Sequence, residues 1–253
     1  MAVTAIIPAR FASVRYPGKP LLRETGKFLI QHVYERVRAA RRIDRCLIAT
    51  DDNRIADAAR SFGAEVAMTR ADHPSGTDRI AEVMTKLGGA AHEIVLNVQG
   101  DEPEIESAAL DQLVERMQRS PECPMGTLAC PFPADGDPDD PNSVKIVKNA
   151  SGMALYFSRA RIPYCRDVEA GADHAACLLH IGVYALRRDF LLEFASWPAG
   201  QLERIEKLEQ LRVLERGVPI AVEVVARSWV GVDTPQDYAA FVARHRARAK
   251  APP

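Results

Sequence analysis

The alternation within the first hundred residues limits the fold more than any other feature. Three apolar runs, residues 3–7 (VTAII), 46–50 (CLIAT) and 93–99 (EIVLNVQ), read as buried strands. Between the first two, Ile30, Val33, Tyr34 and Val37 recur on one face of a helix, and a second helix is expected over residues 53–62. A βαβαβ order predicts a mainly parallel sheet with helices on both faces. After Pro121 the pattern changes. GTLACP (126–131), SVKIVKN (143–149) and MALYFS (153–158) are short strands separated by the turn-rich pieces PADGDPDDPN and NASG, which predicts an antiparallel, β-rich insertion. A strand over 178–186, a helix from about 203 to 216, a strand over 219–225 and a helix from about 235 complete the chain.

The first strand runs into PARFASVRYPGKP, which gathers Arg10, Arg15 and Lys19 with Ser13 and Gly18. Pro8, Pro17 and Pro20 exclude a helix there, so the cations sit on a loop. At the carboxyl end of a strand, where open α/β sheets bind ligands, such a loop suits a polyphosphate: arginine forks match phosphate oxygens and lysine adds a mobile charge. The device is local. Lys plus Arg number 33 against 34 Asp plus Glu, a net charge of -1, which argues against bulk attraction to nucleic acid or a membrane. The loop is not a Walker A motif, since Gly18-Lys19 is followed by Pro20, and no GxGxxG is present.

Five cysteines without a CxxC pair indicate neither a zinc knuckle nor a disulfide framework. No stretch approaches the ~20 apolar residues of a membrane helix, and the start of the chain lacks a basic leader. A cytoplasmic protein is expected.

Two acidic motifs carry further chemistry. In NVQGDEP (97–103), Gly100 lets the chain turn and Asp101 and Glu102 follow a strand; a carboxylate there either holds magnesium or serves turn geometry alone. In GVDTPQDY (231–238), Asp233 precedes Thr-Pro; it is either a metal ligand or a favourable charge beside a helix that Thr234 caps.

Taken together, PARFASVRYPGKPL, ATDD (49–52), MTRADHPSGTDRIAEV (68–83), NVQGDEP, ALYFSRARIPY (154–164), HIGVYALRRDFL (180–191), LERIEKLEQLRVLERG (202–217) and GVDTP resemble the 3-deoxy-manno-octulosonate (Kdo) cytidylyltransferases, in order and over nearly the whole chain. The resemblance implies a nucleotide-diphospho-sugar transferase-like, Rossmann-like fold: one domain over residues 1–245, with a nucleotide-binding half of about 1–120, a sugar-binding and dimerisation insertion of about 121–200, and a tail at 246–253. It implies transfer of CMP from CTP to the anomeric hydroxyl of Kdo for lipopolysaccharide biosynthesis, with magnesium and a homodimer. It puts Pro8, Ala9, Arg10, Ser13, Arg15, Lys19 and Asp101 on CTP, Arg70, Asp72, Ser75 and Gly76 around its base and ribose, and Asp101 and Asp233 on the metal. Arg10, Arg15, Lys19, Asp101 and Asp233 become the catalytic set. Thr77 is a possible cap for the helix that follows. For the acid sugar it points to Gln99, Arg159, His180, Tyr184, Glu209 and Gln210.

On a continuous helix over 203–216, at ~100° per residue, Glu209 falls between Leu202 and Ile205 on the core-facing side. A pair with Arg212 is the plainer alternative. The rival functions are a cytidylyltransferase for 8-amino-Kdo or a nonulosonate, a magnesium-dependent glycosyltransferase, and a non-catalytic nucleotide-sugar binding protein.

Overall fold

The structure is a computed structural model that describes residues 1–12, 16–134, 136–166 and 177–250, the last without its side chain. The chain forms two compact units, Met1–Asp111 with Trp229–Pro253, and Gln112–Ser228.

In the first unit β1 (Val3–Ala9), α1 (Leu29–Arg38), β2 (Arg45–Thr50), α2 (Asn53–Ser61), β3 (Glu65–Met68), α3 (Gly76–Leu87) and β4 (Ile94–Asn97) alternate; α4 (Ser107–Arg119) begins there and ends in the second. The strands lie in the order β3-β2-β1-β4, and each neighbouring pair is parallel. Val3, Ala5, Ile6 and Ile7 of β1 and Ile94, Val95 and Leu96 of β4 are buried, as strands covered on both faces require. The sequence pattern misses β3. Its four residues are exposed at both ends and only half-buried between, so it has neither an apolar run nor a clean alternation.

The second unit holds β5 (Met125–Pro131), β6 (Lys145–Lys148), β7 (Ala154–Ser158), β8 (Leu178–Arg187), α5 (Arg188–Ser196), α6 (Gln201–Glu206), α7 (Leu211–Leu214) and β9 (Ile220–Val224). The β5–β8, β6–β7 and β6–β8 pairs are antiparallel, as the short-strand pattern predicts, whereas β9 joins β5 in parallel.

One predicted helix is two. Lys207 takes a left-handed conformation, φ 55°, and separates α6 from α7. The carbonyls of Glu206 and Lys207 accept from the Arg159 guanidinium instead of continuing a helical ladder. The wheel placement of Glu209 therefore does not apply, and Ile205, expected on the buried face, is exposed.

The last helix, α8 (Pro235–Lys250), returns to the first unit. The basic run from Arg244 is helical to Lys250, and Arg244 and Arg248 pair with Glu104. All five cysteines are free, and no helix among the described residues is long and apolar enough to cross a membrane.

Candidate active site

Lys19 is the centre of the first unit's site. Gly18, at φ 73°, brings the chain round in a left-handed turn that a side chain would disfavour, and its amide donates to Phe11 O at 2.9 Å. Lys19 and Pro20 then open a short 3₁₀ turn, with both residues buried. The ammonium donates to Asp101 Oδ2 at 2.6 Å, Val232 O at 2.8 Å and Asp233 Oδ1 at 3.1 Å. Asp101 follows β4, and Val232 and Asp233 lie just before α8; Val232 N donates to Asp101 O at 2.8 Å and ties the two segments together.

The Thr234 cap is as expected. Its hydroxyl accepts from Asp237 N, and Asp237 Oδ2 in return accepts from the amides of Asp233 and Thr234. The cap thus leaves the Asp233 carboxylate to Lys19. Next to the pair, the Glu102 carboxyl is pushed up to about 8, first by burial and then by Asp101.

Two carboxylates and a carbonyl converge here on one cation. That donor chemistry fits magnesium, which takes one or two carboxylates and completes its shell with water and substrate phosphates. No cluster of three or more His, Cys, Asp or Glu able to hold a metal occurs among the described residues, so an all-protein cage is not what the site offers.

Pro8, Ala9, Arg10, Ala12, Lys19, Pro20, Gln99, Gly100 and Asp101 line a cleft of about 230 Å³. Arg10 is among the lining residues, and its Nη2 is buried with no hydrogen-bond partner among the described residues. Gly100 sits in the expected turn, which Glu102 N closes on Gln99 O at 3.3 Å. Its φ is not positive; a Cβ there would meet Pro8 O at 3.0 Å, so glycine is needed for close approach of the ends of β1 and β4. Ser13 and Arg15 lie outside the described residues.

The segment 70–76 closes on the end of β1, where a Cβ on Gly76 would meet Pro8 at 3.3 Å. The helix cap is Ser75, which accepts from Asp78 N at 3.2 Å; Thr77 is inside α3, two residues too late for the expected cap. Arg70 and Asp72 are exposed and pair at 3.3 Å. Glu82, held against its burial by Lys86, His73 and the Arg70 amide, falls to about 2. Behind this segment the wholly buried Arg79 reaches Asp51 at 2.8 Å, an ion pair to which the sequence gives no spacing signal.

The predicted sugar residues other than Gln99 belong to the second unit. His180 Nε2 meets Thr127 Oγ1 at 3.0 Å and its ring packs on Phe157 and Tyr184; burial lowers the imidazole to about 3, so it is neutral at physiological pH. Burial, and then Glu209, push the Tyr184 phenol far above its ordinary value. Glu209 pairs with Arg212 at 3.4 Å, the plainer of its two readings. Gln210 is buried with Nε2 lacking a partner among the described residues. Arg159 is anchored on Glu206 O and Pro141 O, each at 2.7 Å, while the Glu206 carboxylate accepts from Ser158 Oγ and Arg159 N. The anchoring role of Glu206 and the Val232 carbonyl are what sequence reasoning missed, and a carbonyl leaves no trace in residue type.

A family model described as cytidylyltransferase matches residues 4–220. A 3-deoxy-manno-octulosonate cytidylyltransferase of Syntrophotalea carbinolica is 50% identical over 242 residues, covering 94% of this chain and 96% of that protein. An 8-amino-3,8-dideoxy-manno-octulosonate cytidylyltransferase of Shewanella amazonensis is 48% identical over 238 residues, covering 94% and 96%. A solved CMP:2-keto-3-deoxy-manno-octonic acid synthetase complexed with CTP matches with a TM-score of 0.91 at 42% identity, over 98% of this chain and 100% of that one.

At such likeness the fold is a nucleotide-diphospho-sugar transferase fold, and the protein is a nucleotidyltransferase. More narrowly, the chain belongs to the cytidylyltransferase family, among the 3-deoxy-manno-octulosonate cytidylyltransferases and their 8-amino counterparts.

Proposed function

We propose that the protein transfers CMP from CTP to the anomeric hydroxyl of Kdo, releasing pyrophosphate and supplying an activated acid sugar for lipopolysaccharide synthesis. The observation that carries this is the placing of Lys19 between Asp101 and Asp233 on the wall of the cleft that holds Arg10 and Gln99. The names of the 50% and 42% identical relatives support the substrate pair.

In the reaction the anomeric hydroxyl releases its proton to solvent, and its oxygen bonds to the α-phosphorus as the bond to the pyrophosphate oxygen breaks. Arg10, Arg15 and Lys19 offset the charge gathering on the leaving group. Arg70, Asp72, Ser75 and Gly76 receive the base and ribose. Magnesium, held by Asp101 and Asp233, would supply Lewis-acid polarisation of phosphate oxygens and a lowered pKa for the attacking hydroxyl. Gln99, Arg159, His180, Tyr184, Glu209 and Gln210 orient the acid sugar, with His180 as a neutral hydrogen-bonding group since burial keeps it uncharged. The working form is a cytoplasmic homodimer.

The 48% identical relative favours a second reading, 8-amino-Kdo as the acceptor. Turnover with equal concentrations of the two sugars and limiting CTP separates them. CMP-Kdo as the main product upholds the first reading; CMP-8-amino-Kdo as the main product replaces it with the second.

A further inference from the structure

We infer that Lys19 is a resident counter-ion for the divalent-cation site: without nucleotide its ammonium holds the place between Asp101 and Asp233, and nucleotide must draw it away before the metal enters. The inference rests on Asp101 and Asp233 being the metal ligands. An ammonium has three N–H donors, and here they are spent on two carboxylates and the Val232 carbonyl, at 2.6, 3.1 and 2.8 Å. Lys19 is 9% exposed, so this is a built position and not one rotamer among many in solvent. Two carboxylates with one ammonium carry a net charge of -1. A divalent ion in the same oxygens would cancel both carboxylates but would repel the ammonium at contact distance, so the two cations exclude one another.

The same side chain also lines the cleft beside Arg10. Its backbone is fixed by the left-handed Gly18 and by Pro20, while its four-carbon stem leaves the ammonium free to swing. A triphosphate in the cleft offers replacement acceptors. Lys19 then leaves the aspartates for phosphate oxygens and vacates the metal position in one movement. Nucleotide therefore precedes or accompanies the metal, and the resting protein resists stray divalent ions.

The test measures Mn2+ binding to the full chain by the loss of the free-ion electron paramagnetic resonance signal, with thermal melting read alongside. Native protein without nucleotide should bind Mn2+ weakly and show no shift in melting. With α,β-methylene-CTP it should bind Mn2+ beyond what the analogue alone takes up, and Asp233→Asn should abolish that excess. Lys19→Met and Lys19→Gln should bind Mn2+ without nucleotide at least about 10-fold more tightly than native, and Lys19→Met/Asp233→Asn should lose that gain. Equal affinity of native protein and the Lys19 variants without nucleotide overturns the counter-ion role while leaving the metal ligands in place. If the variants do not fold, tight Mn2+ binding by nucleotide-free native protein still overturns it. Mn2+ binding that ignores Asp233 in every sample overturns the ligand assignment itself.

Discussion

Asp233 and Thr234 are adjacent and do different work: the threonine closes the start of α8 while the aspartate holds Lys19. Sequence alone left Asp233 between a favourable charge beside the helix and a metal ligand, because both want a carboxylate at that position; in the structure its carboxylate accepts from Lys19, a contact that a motif does not encode. Asp101→Asn and Asp233→Asn should each lower kcat on the order of 100-fold while leaving thermal unfolding cooperative, as removal of a positioned charge-stabilising group does. Near-normal pyrophosphate release by either variant would remove that residue from the catalytic set. A third residue, His32, gives a pH prediction. Burial first, then His245, lower its imidazole from 6.5 to about 4, with Lys27 and Arg36 adding and Glu35 opposing. Its folded form resists protonation, so its contribution to stability is complete above about pH 6.5 and is lost as pH falls towards about 4. Over that range the melting temperature of His32→Gln should fall less steeply than that of native protein; identical slopes would deny His32 the effect.

Among elements, β1, β2 and β4 follow the apolar runs closely because their residues are buried, so burial and hydrophobicity coincide, whereas the half-exposed β3 has no such run. The α6–α7 segment was not legible in this way. Its period continues across residues 203–216, yet Arg159, more than forty positions earlier, captures the Glu206 and Lys207 carbonyls and stops the helix. A long-range acceptor contest of this kind leaves no local pattern. Lys207→Gly should stabilise the protein by about 0.5–1 kcal/mol in urea unfolding, since glycine adopts the left-handed cap without a Cβ penalty. No gain would mean that other contacts of Lys207 outweigh that strain. Ser75→Ala removes the cap of α3 and should cost about 1 kcal/mol in the same measurement. Because Ser75 belongs to the segment assigned to base and ribose, its KM for CTP should rise as well; a stability loss with unchanged KM would restrict it to capping.

For the whole molecule, the chain forms two compact units, and the return of the C-terminal helix to the first carries no signal in the chain order. The paired aspartates were legible as acidic motifs after a strand and before a helix, though not their meeting on Lys19. The most direct test is pyrophosphate release measured with CTP, UTP, ATP and dTTP, each offered Kdo, 8-amino-Kdo, a nonulosonate or a neutral sugar phosphate. Cytidylyl transfer to Kdo requires rapid release with CTP and Kdo and little with the other nucleotides or with the neutral sugar phosphate. Release with UTP and the neutral sugar phosphate, and none with CTP and an octulosonate, would contradict it.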